Sequence, residues 1–444
     1  MSKQSKISRR DFLKLLGTSA AAASAANVLQ ACQTATEAPT EAPTEAPAEA
    51  PTEAPPEVME PITLTLAIQA FAHDAMAPVI AEWEEMTGNT VVLESGPTTG
   101  QEMMTKYAPA FQSGTSPVDV LSLDDVSGPA FARADWLQPL DEIIPAETWA
   151  DFPESFLPPP DEDPFHSYEG KRYRVPHEFA VGYFWYRKDW FERDGISVPT
   201  TWDEFLEVGK HFTQGDVWGT TEGMKKPGLT FVYVAHLAAA AGSNPFDFDE
   251  GTGQALEYIY DMLYTSKIMS ESVLTEDYTQ QNDLYMKDRV AMMRQWPYFW
   301  GVSRDNTEWY EEGKAEIDLH PAGPAGVKTW WGGWGFSLPK FIEHADEASD
   351  LIAWVTNNQN APILAEGQSW FVMPRQSILD AMEGGLVPYM GMYADANALV
   401  PRPYHPKQAD AEVVVDDVAQ LYLTNQLSLS EALEEGKDRI AALG

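Results

Sequence analysis

Apolar and polar positions follow two different periods along the chain from residue 62 onward. Residues 62–68 alternate between apolar and polar side chains, which predicts a strand, and the apolar runs at 91–93 and 118–123 predict two more. Between them, apolar side chains recur every three or four residues from Val79 to Met86 and from Met103 to Phe111, as on one face of a helix. This β-α-β-α-β order predicts a mostly parallel sheet with helices on its faces.

A second region of helices and strands follows in the middle of the chain. Thr201 with Glu204 predicts a capping box at the start of one helix, and Ser428 with Glu431 predicts another at the start of the last helix. Further helices with apolar faces are predicted at 231–241 and 254–268. Two separate regions of this kind predict an α/β protein with at least two lobes.

The first residues differ in character from this body. Residues 8–14, Ser-Arg-Arg-Asp-Phe-Leu-Lys, resemble the twin-arginine export motif, and residues 29–32, Leu-Gln-Ala-Cys, resemble a lipoprotein processing box. The apolar stretch between them is too short and too weakly apolar for a spanning helix, as in a cleaved signal. The resemblances imply that residues 1–31 are a signal peptide and that Cys32 carries a diacylglycerol. The alternative is that Cys32 is a small buried free thiol.

A repeat separates this cysteine from the body. Residues 36–55 are five tetrapeptides, Thr-Glu-Ala-Pro four times and Ala-Glu-Ala-Pro once. Every fourth residue lacks an amide hydrogen and the glutamates repel one another, so neither a helix nor a sheet can form. An extended spacer of ~3 Å per residue would reach roughly 60 Å. We therefore interpret residues 32–60 as a lipid-bearing cysteine followed by a mechanical tether.

Composition narrows the classes of partner. The 444 residues include 68 acidic and 29 basic side chains, a formal net charge of −39, and this argues against a nucleic-acid partner, which needs a basic surface. One cysteine excludes a disulfide framework and a zinc site built on several thiolates. The eight histidines lack ligand spacing, so we predict no metal site. The acidic residues are spread along the chain, which favours a hydrated surface over selection of a cationic ligand.

Short motifs of the body occur in an order found in one large family. Six segments carry the resemblance: 111–120, 137–141, 168–176, 186–189, 199–204 and 290–293. Two of them read Tyr-Glu-Gly-Lys-Arg-Tyr-Arg-Val-Pro (168–176) and Pro-Thr-Thr-Trp-Asp-Glu (199–204). In these motifs the chain resembles the extracellular solute-binding proteins of bacterial ABC importers, the group that includes the maltodextrin binders. The resemblance covers nearly all of residues 61–444.

The resemblance implies an architecture and a function. The fold would be two-lobed, each lobe a mixed, mostly parallel sheet with flanking helices, joined by a hinge. Each lobe would be discontinuous, with residues 61–182 and 334–399 in the first lobe and residues 183–333 and 400–444 in the second. The lobes would close around a small solute, most simply a sugar, and present it to a membrane permease. The protein would then be a monomeric receptor on the outer face of the cell membrane, held there only by its lipid, with no catalytic residues and no cofactor.

Tryptophans mark the expected binding cleft. The chain has 15, and the clusters are Trp296 with Trp300, then Trp330, Trp331 and Trp334, then Trp370. Sugar rings present apolar C–H faces that stack on aromatic rings, and glycines allow a ligand to approach the backbone. Resemblance and glycine context favour a ligand-binding role for Trp296, Tyr298, Trp331, Gly333 and Trp334, although the usual place of any one tryptophan is the core. Trp296 replaces a glycine usual in the family, so the ligand cannot be transferred from relatives.

Polar candidates come from strand ends and from one arginine. Asp124 and Asp125 end a predicted parallel strand, where open α/β sheets bind ligands, and their carboxylates can accept hydrogen bonds from hydroxyls. Because adjacent side chains on a strand point apart, we expect one of the two to face the cleft. Arg375 can pair with hydroxyls or a carboxylate, or form a surface salt bridge. Tyr183 and Gln69 are further candidates from their positions at strand ends.

Three alternatives remain open from the residues alone. A secreted glycoside hydrolase also combines aromatic rings with two carboxylates in a cleft, and an acidic chain always has some close pair. A polyamine or another small solute could replace the sugar, and a tethered adhesin would explain the spacer but not an aromatic cleft. The order of the motifs favours the solute-binding protein over these alternatives.

Overall fold

The computed structural model describes residues 60–154, 156–305, 313–367, 375–381 and 385–444. The predicted signal peptide, Cys32 and the tether up to residue 59 lie outside these residues, as does Trp370. Their predicted roles therefore stay predictions.

The first part of the chain builds one sheet and its helices. Its elements are β1 (Thr63–Ile68), α1 (His73–Thr87), β2 (Thr90–Ser95), α2 (Gly100–Gln112), β3 (Val120–Asp124), α3 (Ser127–Arg133), β4 (Leu137–Gln138), α4 (Ala146–Ala150), β5 (Ser167–Tyr168), β6 (Lys171–Arg172) and β7 (Val175–Pro176). The strands predicted at 62–68, 91–93 and 118–123 and the helices between them are confirmed. Gly88, at a left-handed φ of 74°, ends α1 and turns the chain into β2.

The middle of the chain builds a second sheet. Its elements are β8 (Ala180–Val181), β9 (Tyr183–Arg187), α5 (Lys188–Asp194), α6 (Trp202–Phe212), β10 (Trp218–Thr221), α7 (Leu229–Ala240), α8 (Glu250–Tyr260), α9 (Tyr278–Met286), β11 (Val290–Gln295), α10 (Phe299–Asp305), β12 (Ala315–Asp318) and β13 (Thr329–Gly332). The side chain of Thr201 caps α6, as predicted. The helix predicted at 254–268 ends earlier, because α8 passes into a π-helical turn, Asp261–Thr265, that is closed by a hydrogen bond from Ser266 N to Asp261 O.

The last part of the chain returns to both regions. Its elements are β14 (Trp334–Pro339), α11 (Ala345–Thr356), α12 (Asn360–Gly367), α13 (Gln376–Ala381), α14 (Val387–Asp395), β15 (Leu399–Pro401), α15 (Gln408–Leu423) and α16 (Leu429–Leu443). The capping box predicted from Ser428 and Glu431 is present at the start of α16. Short 3₁₀ turns at Ala70–Ala72 and Glu271–Thr275 complete the elements of the described residues.

The described residues form four sheets, of which β5-β6 is a two-stranded antiparallel pair and the other three organise the two lobes. The first-lobe sheet has the order β2-β1-β3-β14-β4, with β7 also paired to β14, and the second-lobe sheet has the order β10-β11-β9-β12. Both are mixed: β1 pairs in parallel with β2 and β3, and β10 with β11, while β9, β12 and β14 run antiparallel to their neighbours. Helices flank both sheets, so the predicted two-lobed α/β fold is confirmed.

A small third sheet, β15-β13-β8, lies where the lobes join. The chain enters it between β7 and β8, leaves it for the first lobe at Gly333, and leaves it for α15 after β15. The lobe boundaries predicted after residues 182, 333 and 399 fall next to these connections. The helix α14 packs differently from the prediction, which placed it in the first lobe together with the rest of residues 334–399. The Tyr393 hydroxyl donates to Asp318 O at 2.8 Å and accepts from Phe184 N at 3.0 Å, which attaches α14 to the second-lobe sheet.

Each lobe has its own hydrophobic core. In the first lobe, α1 packs Met76, Ile80 and Trp83 beneath the sheet, and in the second lobe α7 is buried on nearly every side. The described part of the chain contains no helix that is both long enough and apolar enough to cross a membrane. Two rigid cores joined by short strands place one opening between them, and this opening holds the candidate site.

Candidate functional site

A cavity of about 490 Å³ lies between the two lobes and is lined from both sides. The first lobe contributes the residues that follow β1 and β3 and the first turn of α2. The second lobe contributes the starts of α7 and α9, the segment after β11, and one face of α15. Because the carboxyl ends of β1 and β3 meet at this edge of the first sheet, the cavity occupies the place where open α/β sheets bind ligands.

The first-lobe wall is polar. Gln69 directly follows β1 and is buried, and its Nε2 donates to Pro97 O at 3.1 Å. Asp124 ends β3, and its Oδ1 accepts from the backbone N–H of Ser127 at 2.9 Å, which caps α3. Residues 98–102, around the start of α2, complete this wall. The wall therefore presents amide, hydroxyl and carboxylate groups held in place by their own backbone contacts.

The second-lobe wall is aromatic. Trp296 and Tyr298 follow β11, and the Trp296 ring meets Trp330 edge to face with centroids 5.0 Å apart. Tyr298 stacks on Phe71 of the first lobe, with centroids 4.9 Å apart and an interplanar angle of 26°. Asn282 Nδ2 donates to the Tyr298 hydroxyl at 2.9 Å. The Phe71–Tyr298 stack joins the lobes at one side of the cavity and leaves apolar ring surface along its wall.

The floor is the glycine-rich connection between β13 and β14. Trp330, Gly332, Gly333 and Trp334 line the cavity there. A Cβ atom on Gly333 would lie 2.2 Å from the backbone oxygen of Glu178, and one on Gly332 would lie 2.4 Å from Asp125 Oδ2. No side chain fits at either position, so the two glycines allow the strands of the hinge and the first lobe to approach each other.

The structure brings together six of the ten ligand residues predicted from the sequence. Those that line the cavity are Gln69, Asp124, Trp296, Tyr298, Gly333 and Trp334. As expected for neighbours on a strand, Asp124 and Asp125 do not share the cavity. Asp125 instead accepts from Arg174 Nη2 at 2.5 Å and from Gly333 N at 2.8 Å, so it fixes the connection behind the floor.

Three other residues predicted to bind the ligand, Trp331, Tyr183 and Arg375, do not line the cavity. Trp331 is 9% exposed and packs in the core against Phe156 and Phe179, with ring centroids 5.2 and 5.5 Å away. Tyr183 is fully buried, and its ring meets Tyr393 edge to face. These two side chains point away from the cavity because they occupy the opposite faces of their strands.

Arg375 also lies away from the cavity, although it is buried. Its Nε donates to Asp151 Oδ2 at 3.0 Å, and its other nitrogens donate to Thr356 O and to Asn358. These contacts tie α13 to the first lobe. Neither a ligand contact nor a surface salt bridge describes this arginine, because its guanidinium is saturated inside the protein.

The sequence did not indicate the charged residues of the second-lobe wall. Arg402 Nη2 donates to Glu412 Oε1 at 2.7 Å, and its Nη1 lies 3.9 Å from Asp124 Oδ2 across the cleft. Glu412 and Asp416 share a face of α15 with Ala409 and Val413. That spacing of three and four residues is the pattern of one helix face and could have been recognised.

Burial and charge shift the pKa values of these groups. Burial raises the pKa of Asp416 to about 7, although its carboxylate accepts from the backbone N–H groups of Gly228 and Phe231 at the start of α7. Burial also raises the pKa of Glu412. Burial alone would lower the pKa of Arg402, but attraction to Glu412, Asp124 and Asp125 outweighs it and raises that pKa.

Carboxylates outnumber cations around the cavity. Seven acidic residues line it, Glu102, Asp124, Glu178, Asp277, Asp283, Glu412 and Asp416, against three basic ones, Lys225, Lys226 and Arg402. Within the described ranges, no group of three or more His, Cys, Asp or Glu side chains is arranged to hold a metal ion. The arrangement suits a small solute with apolar faces and several polar groups, held by stacking and hydrogen bonds.

Comparisons with known proteins agree with this geometry. The profile of the family described as bacterial extracellular solute-binding protein matches residues 71–362. A probable ABC transporter-binding protein of Deinococcus radiodurans is 25% identical over 317 residues, which cover 67% of this chain and 73% of that protein.

Solved structures show the same fold. The maltose-bound MalE3 of T. maritima superposes with a TM-score of 0.76 at 21% identity, over 86% of this chain and 100% of that one. A solute-binding protein of Agrobacterium radiobacter K84 in complex with ribitol superposes with a TM-score of 0.73 at 18% identity, over 87% of this chain and 100% of that one. Both structures contain a bound ligand.

Proposed function

This chain belongs to the bacterial extracellular solute-binding proteins, and from that premise we propose that it is the carbohydrate or polyol receptor of an ABC import system. This is a family of transport proteins and not of enzymes. The protein would take up its solute in the cavity between the lobes and deliver it unchanged to the permease.

The observation that carries the proposal is the pairing of an aromatic wall with a polar wall. Trp296, Tyr298 and Trp334 offer ring faces to the C–H faces of a sugar, while Gln69 and Asp124 face them with hydrogen-bonding groups. Carboxylates and amides are suitable partners for hydroxyl groups. At about 490 Å³ the cavity lies within the usual range of roughly 300–1,000 Å³ for small-molecule sites.

The neighbours in structure support the class of solute. The T. maritima protein binds maltose and the Agrobacterium radiobacter K84 protein binds ribitol, both of which are neutral and rich in hydroxyl groups. At 18–21% identity these structures support the fold. The solute itself is inferred from the cavity of this chain.

Attachment to the cell is part of the same proposal. The twin-arginine and lipoprotein motifs favour export followed by lipidation of Cys32, and the Thr-Glu-Ala-Pro spacer would hold the lobes at a distance from the membrane. A lipidated receptor stays near its permease. A Cys32→Ser variant is expected to leave the membrane fraction for the soluble one.

A cationic solute such as a polyamine is the second candidate, and one observation favours it. Seven carboxylates against three basic residues give the cavity an excess of negative charge. Part of this excess is used inside the protein, because Glu412 pairs with Arg402 and Asp416 caps α7. We therefore rank the neutral solute first.

A thermal-shift screen of the purified protein separates these candidates. The panel holds maltose, maltotriose, ribitol, mannitol, spermidine and putrescine at matched concentrations. A ligand at a hundred times its Kd stabilises a protein by about 2.7 kcal/mol, which the screen resolves. Stabilisation by a sugar or polyol alone supports the proposal, and stabilisation by the polyamines alone replaces it with the second candidate.

Chromatography of the ligand after release tests for hydrolysis. A receptor returns maltotriose intact, whereas a glycoside hydrolase returns shorter sugars. Shorter products would overturn the transport function.

A further inference from the structure

One acidic residue of the cavity floor has surroundings unlike those of the others. Glu178 lies between β7 and β8, lines the cavity, and is 1% exposed. Its backbone N–H donates to Trp334 O at 3.3 Å, and its backbone oxygen lies against Gly333. The main chain is therefore held tightly at this position, and the side chain has little freedom to turn out to solvent.

The carboxyl group of Glu178 is not satisfied inside the protein. Its Oε2 is buried and has no hydrogen-bond partner among the described residues. A buried oxygen without a partner costs about 1–3 kcal/mol, and more when it is charged. The residue lines the cavity, so a solute bound there lies beside the carboxyl group and can supply the missing partner.

Arg174 and Arg402 each form an ion pair with another carboxylate, although the Nε of each has no hydrogen-bond partner among the described residues. Arg174, which follows β6, gives Nη2 to Asp125 and Nη1 to Leu123 O and Gly333 O. Arg402, which follows β15, pairs with Glu412 of α15.

The remaining ionisable groups do not favour a negative charge there. The adjacent His177 has a pKa well below its usual value because it is buried and lies near Arg174, so it is neutral. The other charged groups that line the cavity are Asp124 at the end of β3, Asp416 of α15, Glu102 of α2, Asp277 and Asp283 around α9, and Lys225 and Lys226 before α7. Asp125, behind the floor, also lies near Glu178. Burial and the nearby Asp125 raise the pKa of Glu178 well above its usual value, and attraction to Arg174 offsets this only in part.

We propose that Glu178 stands in the ligand-free protein as a neutral carboxylic acid and donates a hydrogen bond to an acceptor oxygen of the bound solute. The inference rests on the proposed function and adds a specificity-determining residue to it. A neutral donor at the floor favours hydroxyl, ether or carbonyl oxygens. A cationic solute would instead require Glu178 to lose its proton.

The protonation state can be measured without any ligand. Infrared difference spectra between the wild-type protein and Glu178→Gln at neutral pH isolate the vibrations of this one side chain. The expected result is a C=O stretch of a neutral carboxyl that is lost in Glu178→Gln and fades only as the pH is raised. A carboxylate band in its place at neutral pH would overturn the inference.

The contact with the solute is tested by calorimetric titration with the best neutral solute from the screen. Glutamine keeps a donor and an acceptor in nearly the same shape, so Glu178→Gln is expected to bind within about threefold of the wild type. Glu178→Ala removes the donor and is expected to bind roughly tenfold more weakly, as for the loss of one hydrogen bond. Wild-type affinity falls as the pH rises and Glu178 ionises, whereas Glu178→Gln lacks this part of the pH dependence.

Glu222 provides a matched control. It is also 1% exposed, and both of its carboxyl oxygens lack hydrogen-bond partners in the described part of the chain, but it does not line the cavity. Glu222→Gln is expected to bind as the wild type does. If Glu178→Ala also binds as the wild type does, or if Glu178→Gln binds as weakly as Glu178→Ala, the proposed donor is wrong. If no neutral solute binds at all, the proposed function fails, and the infrared result still decides the protonation state by itself.

Discussion

Trp331 and Trp334 are separated by two glycines, yet they lie in opposite environments. Trp331 packs on Phe156 and Phe179 in the core, whereas Trp334 is half-buried and lines the cavity. Trp331 lies in β13 and Trp334 begins β14, with Gly333 between the two strands. Alternation within β13 places Trp331 on the face opposite to Trp330 and Gly332, which line the cavity. Position within the strand, and not the aromatic character of the segment, therefore decides which ring can meet a ligand.

The largest effect is expected from Trp331→Ala. Removing a buried tryptophan from a packed core costs about 3–5 kcal/mol, since the cavity left behind closes only in part. Chemical denaturation measures the loss in the free energy of unfolding. Trp331→Phe serves as the control and should recover most of the stability. A stable Trp331→Ala protein with weakened solute binding would contradict the comparison.

The next largest loss of stability is expected from Asp125→Ala. Asp125 is adjacent to Asp124 but faces away from the cavity. Arg174 is fully buried and would lose its ion-pair partner. We expect a cost of about 3 kcal/mol, the lower end of the range for breaking a buried ion pair. The cost is at the lower end because Arg174 keeps its hydrogen bonds to Leu123 O and Gly333 O. Chemical denaturation again measures the loss. Asp124→Asn is the matched variant and should change solute binding more than stability; the reverse pattern would refute the assignment.

Trp334→Ala is expected to weaken solute binding more than stability, the opposite of Trp331→Ala. Its half-buried ring lines the cavity and packs only in part against the first-lobe core, so its loss should cost less stability than the loss of Trp331 but removes a stacking surface. We expect binding to weaken by about 2 kcal/mol, as for an aromatic residue at the centre of an interface. Calorimetry gives the affinity and thermal unfolding gives the stability. Unchanged affinity with a large drop in Tm would assign Trp334 to the core.

The last effect depends on pH and concerns a carboxyl away from the cavity. Burial, only partly offset by Arg294, raises the pKa of Glu222 from 4.5 to about 8. The raised pKa contributes fully to stability at pH values below the pKa that the Glu222 carboxyl has in the unfolded chain. This contribution is lost as the pH rises toward 8.

The Tm of Glu222→Gln relative to the wild type should therefore increase between about pH 5 and about pH 9. Thermal unfolding at several pH values measures it. Glu434→Gln, on the exposed part of α16, removes one charge without changing burial and is the control. A Tm difference that stays constant with pH would show that Glu222 does not titrate in this range.

Local patterns predicted much of the fold. The period-two run at 62–68, the cap at Thr201 and the capping box at Ser428 correspond to β1, α6 and α16, because strand alternation and helix caps depend on near neighbours. The box predicted at Thr201 is only half formed, since the Glu204 carboxylate accepts from Thr200 N instead of Thr201 N. The end of α8 and the attachment of α14 depend on contacts with distant residues. Tyr393 packs on a strand about 200 positions earlier, which no local pattern reveals.

The candidate site was predicted in part for the same reason. Gln69 and Asp124 were found because strand ends meet at one edge of a parallel sheet. Trp331 was misplaced because glycine context was weighed above strand parity. Arg402 and Glu178 became visible only in the structure, since their roles depend on where three sheets meet.

The central claim is that the cavity between the lobes binds a neutral, hydroxyl-rich solute against Trp334. Titration of the wild-type protein with maltose, ribitol and spermidine, followed by tryptophan fluorescence, tests it most directly because Trp296, Trp330 and Trp334 line the cavity. The account predicts a saturable change with a neutral solute that is strongly weakened in Trp334→Ala and kept in Trp331→Phe. A saturable response to spermidine alone, or one that is unchanged in Trp334→Ala, would contradict it.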